Sequence, residues 1–275
     1  MQTLRFTHTA DLRSEQPMSE HVFTLRILPA DDPAQTISFD SVEVAPTGPL
    51  ARQTDGFSNT LLVGSSRDAH DYFSYRVSGT ATVDSTRGRG TLQSPLFAVP
   101  SPLCVPGPAI SALDVSAGGP GITGPSETSG TCSQTAPTDI FDRALELCAL
   151  VHDEMTYAPG STSVDTTAEE AASQRAGVCQ DFAHILSALL RLEGIPARYV
   201  CGLMIGEGAT HAWTEFSDGQ TWWGLDPTNN CEAGDYYIAL ARGRDHADCP
   251  MERGVFRGGA MQRLETQVTV ELVSP

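Results

Sequence analysis

The sequence predicts an α+β protein, with an antiparallel, sandwich-like β-domain over residues 1–99, a Pro/Gly/Ser-rich linker over 100–137, and a mixed helix-and-strand domain over 138–275. Three observations carry this reading: short two-residue alternations in the first part, an abrupt change of composition after residue 99, and helical periods followed by strands beyond 137.

In the first part, Phe23, Leu25 and Ile27 alternate with Thr24 and Arg26, and Phe73, Tyr75 and Val77 with Ser74, Arg76 and Ser78. Ile37 and Phe39 share one parity and Val42 and Val44 another. A period of two puts each set on one face of a strand. Pro29, Asp31, Asp32, Pro46, Gly48, Asp55, Gly56 and Asn59 supply the intervening turns. From 100 to 137, seven prolines, six glycines and six serines accompany only two charges, Asp114 and Glu127. Such a tract reads as a linker or extended strap with regular structure at most over 109–115, and its length sets it between units.

Beyond it the period lengthens. Residues 138–155 read as an amphipathic helix capped by Thr138, with Asp139 in its first turn and Phe141, Leu145, Cys148, Val151 and Met155 on the buried stripe. His152 stands one position off that stripe. Thr167 and Glu170 form a capping box for a short helix. Phe182, Leu186, Leu189 and Leu190 then recur at helical spacing until Gly194 and Pro196, so Cys179 lies in the first turn of that helix. Residues 195–205, 209–216 and 221–226 read as strands, the last two as a hairpin around Ser217-Asp218-Gly219-Gln220. Leu264, Thr266, Val268, Val270 and Leu272 mark a terminal strand expected to close the sheet of the second domain.

The first turn of a helix carries unpaired N–H groups and the positive end of the dipole, which favour negative charge on a cysteine sulfur. Cys179 is thereby placed as a nucleophile whose own N–H can help bind an oxyanion. If the hairpin forms, His211 and Asp226 fall on strands about 4.8 Å apart, at similar distances from the turn. The carboxylate can then hold one imidazole tautomer while the other ring nitrogen faces the thiol. A lone cysteine before an apolar helix is more often a small hydrophobe; the joint occurrence of Cys179, His211 and Asp226 turns the reading toward acyl transfer. Asp181 and His184, in the same motif, read as donors or acceptors of structural hydrogen bonds. Tyr157, Gln174 and Trp213 are further candidates for an oxyanion hole or substrate pocket. Tyr157 could equally pack on the helix of Cys179, and Trp213, Trp222 and Trp223 could form a water-excluding wall or simply core.

The runs Gly177-Val178-Cys179-Gln180-Asp181-Phe182-Ala183-His184, Gly194-Ile195-Pro196-Ala197-Arg198-Tyr199-Val200, His211-Ala212-Trp213 and Asp226-Pro227-Thr228-Asn229-Asn230 resemble the bacterial transglutaminase-like family. The resemblance covers most of 138–275 and, more loosely, the β-region that precedes such domains. It implies a papain-like transglutaminase core for 138–275, with Cys179 as nucleophile, His211 as base and acid, and Asp226 as orienter. The implied activity is that of a cysteine peptidase or amidase working through a thioester. A transglutaminase, or an inactive papain-like scaffold, is the alternative.

Composition narrows the partners. With 275 residues and 40% hydrophobic content the chain can bury a substantial core, and no apolar run approaches the roughly 20 residues that cross a bilayer. A net charge of −17 disfavours nucleic acid and anionic membrane as partners. The expected partner is a peptide or amide substrate. All 17 basic residues are arginine and none is lysine, so the chain offers no lysine of its own as an acyl acceptor. Seven cysteines without a Cys-x-x-Cys pair read as free thiols, and with no charged-then-apolar segment at Met1–Phe6 the expected compartment is the cytoplasm. No cofactor is called for. Cys231, His246 and Cys249 lack the paired spacing of a structural zinc site, so no metal is expected either.

Overall fold

The computed structural model describes residues 1–90, 94–121, 140–259 and 261–273. Thr138 and Asp139, the expected helix cap, lie outside these, as do residues 122–137 of the expected linker.

One long strand, β1 (Gln2–Leu25), is the axis of the first sheet, with Leu4, Phe6, His8, Ala10, Met18, Phe23 and Leu25 buried along it. β2 (Gln35–Ala45), β3 (Ala51–Thr54), β4 (Thr60–Ser66) and β5 (His70–Val83) follow. β5 pairs with β1 and β2 with β5, while β4 pairs with the end of β1 and with β3. Every one of these pairings is antiparallel, as the alternation implied. Residues 2–14 are strand although no strand was read there, because His8 and Ala10 occupy inward positions and dilute the apolar period.

The tract after the first sheet is packed rather than loose over its described part. α1 (Pro108–Ser116) starts with proline at its first position, where the missing N–H costs no hydrogen bond. Ile110 and Leu113 of α1, with Cys104 ahead of it, join the same core as α2 (Ile140–Glu154). β6 (Thr156–Tyr157), α3 (Ala168–Gln174), β7 (Ala176–Gly177) and α4 (Cys179–Leu192) come next. The Glu169 carboxylate of α3 accepts the N–H groups of Gly107, Ala109 and Ile110, capping α1 from outside. Thr167 and Glu170 form the expected capping box. The buried stripe of α2 is Ala144, Leu147, Cys148 and Val151, with Phe141 and Leu145 only partly covered. Met155, just after α2, is buried in the same core, so the expected stripe faces inward and Ala144 and Leu147 widen it.

A second sheet is built from β8 (Ala197–Met204), β10 (His211–Ser217), β11 (Trp222–Asp226), β12 (Cys231–Glu232) and β13 (Tyr237–Gly243), in the spatial order β12-β11-β10-β8-β13. Between β8 and β10 lies the short β9 (Gly206–Gly208), which leaves this sheet for the first. α4 covers one face of the second sheet: the Thr214 hydroxyl donates to the Ala183 carbonyl at 2.8 Å, and Phe216 joins the core around α4.

The chain then returns. β14 (Glu252–Gly258) pairs with the end of β1, and β15 (Gln262–Leu272) pairs with β1 from Leu4↔Leu272 to Ser14↔Gln262. The terminal strand therefore closes the first sheet, which corrects the expectation that it closes the second. Alternation identifies a strand and its buried face but carries no information about which neighbour it pairs with. Val268 and Val270 of β15 share a core with Leu203, Ile238 and Leu240 of the second sheet, so the two sheets are packed together. Beside that core, fully buried Glu215 is bound by Arg198 at 2.6 Å and Arg242 at 2.9 Å, with Arg89 at 3.4 Å. Arg242 also donates to Asp32 of the first part at 2.7 Å.

Candidate active site

α4 begins at Cys179 for local reasons. Val178 is extended (φ −115°, ψ −178°), and Asp181 folds back so that its Oδ2 accepts the Val178 N–H at 2.7 Å and the Thr162 hydroxyl at 2.7 Å. Gly177 makes room for this: a Cβ there would stand 2.6 Å from the Asp181 side chain. As the first residue of the helix, Cys179 has a backbone N–H without an intrahelical acceptor. His184, one turn on, is fully buried, and its Nε2 accepts the His246 N–H at 3.0 Å. Burial pushes its pKa down to about 3, so it is a neutral structural acceptor.

β10 and β11 pair with Thr214 facing Leu225 and Ser217 facing Trp222. One step further along this register, Asp226 comes opposite Trp213 and diagonal to His211, rather than level with it. Diagonal neighbours on one face are still within reach of long side chains, and His211 Nε2 donates to Asp226 Oδ2 at 2.7 Å. Nδ1 is left for the thiol. Burial on its own depresses the His211 pKa, but the hydrogen bonds and charges of Asp226 and then Cys179 outweigh it and raise it to about 9.

The Asp226 carboxylate is fully buried and fully engaged. Oδ2 also accepts from Asn229 Nδ2 at 2.6 Å and the Tyr237 hydroxyl at 2.9 Å, while Oδ1 accepts the backbone N–H groups of Thr228 and Asn229 at 2.9 and 3.2 Å. Burial opposes its ionisation, yet these donors and His211 keep its pKa below the ordinary carboxylate value. The turn itself is pinned from behind, its Thr228 carbonyl lying 3.1 Å from His152 Nδ1 of α2.

Cys179 and His211 open onto a cavity of about 320 Å³ whose walls include Tyr199, Ala212, Met251 and Leu264. Tyr157 lies beside the helix start, half-exposed, with its ring 6.4 Å from that of Phe182. Gln174 is exposed at the end of α3, and the glutamine on the cavity wall is Gln180, whose amide is committed to the Val164 carbonyl at 3.1 Å. Trp213 is fully buried behind the His–Asp pair, edge-on to Tyr237 at 5.4 Å, and does not line the cavity. Trp222 packs under Arg198 and against Phe97 at the other end of the hairpin, and Trp223 donates to Asp218. Tyr237 and Asn229 were missed in the sequence. Asn229 follows Asp226 in the quoted motif and was within reach of a reading, whereas Tyr237 arrives from another strand.

The fold and the site together define a transglutaminase-like, papain-like core with cysteine, histidine and aspartate side chains gathered at a helix start and a hairpin. The chain belongs to the bacterial transglutaminase-like family: the transglutaminase-like superfamily profile matches residues 127–227, and that of the bacterial transglutaminase-like N-terminal region matches 4–82. An uncharacterized protein of Mycobacterium leprae is 38% identical over 127 residues, covering 42% of this chain and 45% of that protein. One from Mycobacterium tuberculosis is 38% identical over 152 residues, covering 48% of each. The chain thus spans about half the length of the curated relatives it matches. Among solved structures, a provisionally assigned cysteine protease of Cytophaga hutchinsonii superposes with a TM-score of 0.71 over 100% of this chain and 92% of that one. At 21% identity this likeness speaks for the fold. Among the described residues, no helix is long and apolar enough to cross a membrane.

Proposed function

We propose that the protein is a cysteine acyl-transfer enzyme acting on amide bonds, in the first place a peptidase or amidase. The observation that carries this is the His211–Asp226 hydrogen bond beside a cysteine at a helix start, with the imidazole pKa raised to about 9 by both partners. In this reading the Cys179 sulfur attacks the amide carbon, and the oxyanion is met by the Cys179 N–H. Protonated His211 gives its proton to the leaving amine, a thioester forms, and Asp226 steadies the imidazolium throughout. Water, deprotonated by His211, then releases the acid and frees the thiol. If an amine takes the place of water, the same steps make a transglutaminase. The absence of lysine restricts that acceptor to a foreign amine or the chain's own N-terminus. Cytoplasmic placement belongs to the proposal too, and the six described cysteines, all free thiols, accord with it.

Alkylation with iodoacetamide near neutral pH, read by mass spectrometry, tests the reading. Selective labelling of Cys179, lost in His211→Ala, is expected; labelling indifferent to His211 would favour the scaffold alternative. A glutamine peptide supplied with and without a fluorescent primary amine separates the two outcomes. Ammonia release without amine incorporation is expected of the hydrolase.

A further inference from the structure

The cavity beside Cys179 is not walled by the second sheet alone. His8 of β1, Tyr75 of β5, Glu252 of β14, and Leu264 and Thr266 of β15 line the same space as Cys179 and His211. All of these come from the first sheet. His8 is buried, and burial pushes its pKa down to about 4, so it is neutral at physiological pH. Its Nε2 lies 3.3 Å from the Tyr75 hydroxyl. Burial, then the nearby charge of Glu252, raises the Tyr75 pKa, so this hydroxyl stays protonated.

Glu252 is different. Among the described residues lining the cavity it is the one carboxylate, and burial raises its pKa with no cation opposing the rise. No arginine among the described residues pairs with it, and the chain has no lysine that could. His211, the protonated ring on the same wall, is committed to Asp226 and Cys179. Glu252 is therefore a half-desolvated carboxylate without a counter-charge of its own, which is unfavourable and which an entering cation relieves.

We propose that this cavity is a cation-accepting subsite, in which Glu252 holds an ammonium or guanidinium group of the substrate while the adjoining amide reaches Cys179. What the cation is attached to rests on the acyl-transfer reading; the subsite itself does not. At about 320 Å³ the space is at the small end for ligand pockets, suited to one side chain or a short amine. Met251 and Leu264 offer the apolar surface along which the methylene stem of such a group packs. The net charge of −17 draws cations toward the molecule as a whole.

The test uses thiol probes on the full chain and needs no turnover. Methanethiosulfonates react with ordinary as well as activated thiols: the sulfur attacks the reagent, a mixed disulfide forms and methanesulfinate leaves. The rate of Cys179 modification by 2-aminoethyl methanethiosulfonate, divided by that for the neutral propyl reagent, is measured by mass spectrometry. In Glu252→Gln this ratio is expected to fall about tenfold, the size of one charge-assisted hydrogen bond. Glu265→Gln, which removes an exposed charge from β15, is expected to leave it unchanged. A ratio unaltered in Glu252→Gln, or lowered equally in Glu265→Gln, would overturn the proposal. A second measurement on the unaltered protein guards against a variant that does not fold. n-Butylammonium, but not n-butanol, is expected to protect Cys179 from the neutral reagent, and equal protection by both would also overturn it. Failure of the acyl-transfer reading shows separately, as labelling indifferent to His211→Ala.

Discussion

Asp226 receives five donors, one of them the His211 ring and two others the Asn229 amide and the Tyr237 hydroxyl. The result is an imidazole whose pKa, about 9, lies above its ordinary 6.5. The sign follows from linkage: the protonated ring contributes stability fully below 6.5, and that contribution is lost as pH rises through about 9. For activity this predicts an alkaline limb of kcat/KM near pH 9, moving toward 6.5 in Asp226→Asn. At pH 7 that variant is expected to lose about 10²–10⁴ in kcat/KM, measurable in a pH series on any turned-over amide. Tyr237→Phe keeps the ring against Trp213 but removes the hydroxyl from Asp226. A hydrogen bond to a charged group is worth about 1.5–3 kcal/mol, so a kcat/KM loss of at least about tenfold is expected. The alkaline limb is not expected to fall, because a carboxylate with one donor fewer holds the imidazolium at least as tightly, and the melting temperature should drop by several degrees.

The position of Cys179 depends on where α4 starts, and Asp181 sets that start through the Val178 N–H and the Thr162 hydroxyl. Asp181→Ala removes a cap worth about 0.5–2 kcal/mol and frees the first turn to fray. The expected outcome is a melting temperature lower by several degrees and iodoacetamide labelling of Cys179 that is less dependent on His211. Full retention of that dependence would show that the turn is held by other contacts. At the far end of the site, the hairpin register decides that His211 and Asp226 meet diagonally, and the His152 contact to Thr228 fastens the turn to α2. The nucleophile and its partners are thus tied through α2 and α4, helices that share one core.

Across the molecule, the two sheets share a core and a buried ionic cluster. Burial disfavours charge on Glu215, but Arg198, Arg242 and Arg89 outweigh it and hold its pKa down to about 2. Glu215→Ala would leave these arginines buried together, with Asp32 as the carboxylate still paired to Arg89 and Arg242 among the described residues. Breaking such a cluster costs about 3–5 kcal/mol, expected as a lower urea midpoint. Because Asp32 and Arg89 precede the helical part while Arg198 and Arg242 belong to the second sheet, the loss is expected to loosen the packing that builds both walls of the cavity.

Many of the strands, the helix that starts at Cys179 and the capping box of Thr167 were legible because each is written in local periodicity or turn chemistry, whereas the strands over 2–14, 237–243 and 252–258 were not read. The stripe of α2 was legible at Cys148, Val151 and Met155, while burial of Ala144 and Leu147 beside it was not, since the width of a buried face depends on packing. Tyr237 and Glu252 were not legible at all: both reach the site from strands whose partners are distant in sequence. The amino-acid order by itself determined many of the elements, the family and the three side chains proposed for chemistry. Only the tertiary structure decided that β15 returns to β1 and that the first sheet walls the cleft, because strand pairing is a long-range choice among surfaces of similar alternation.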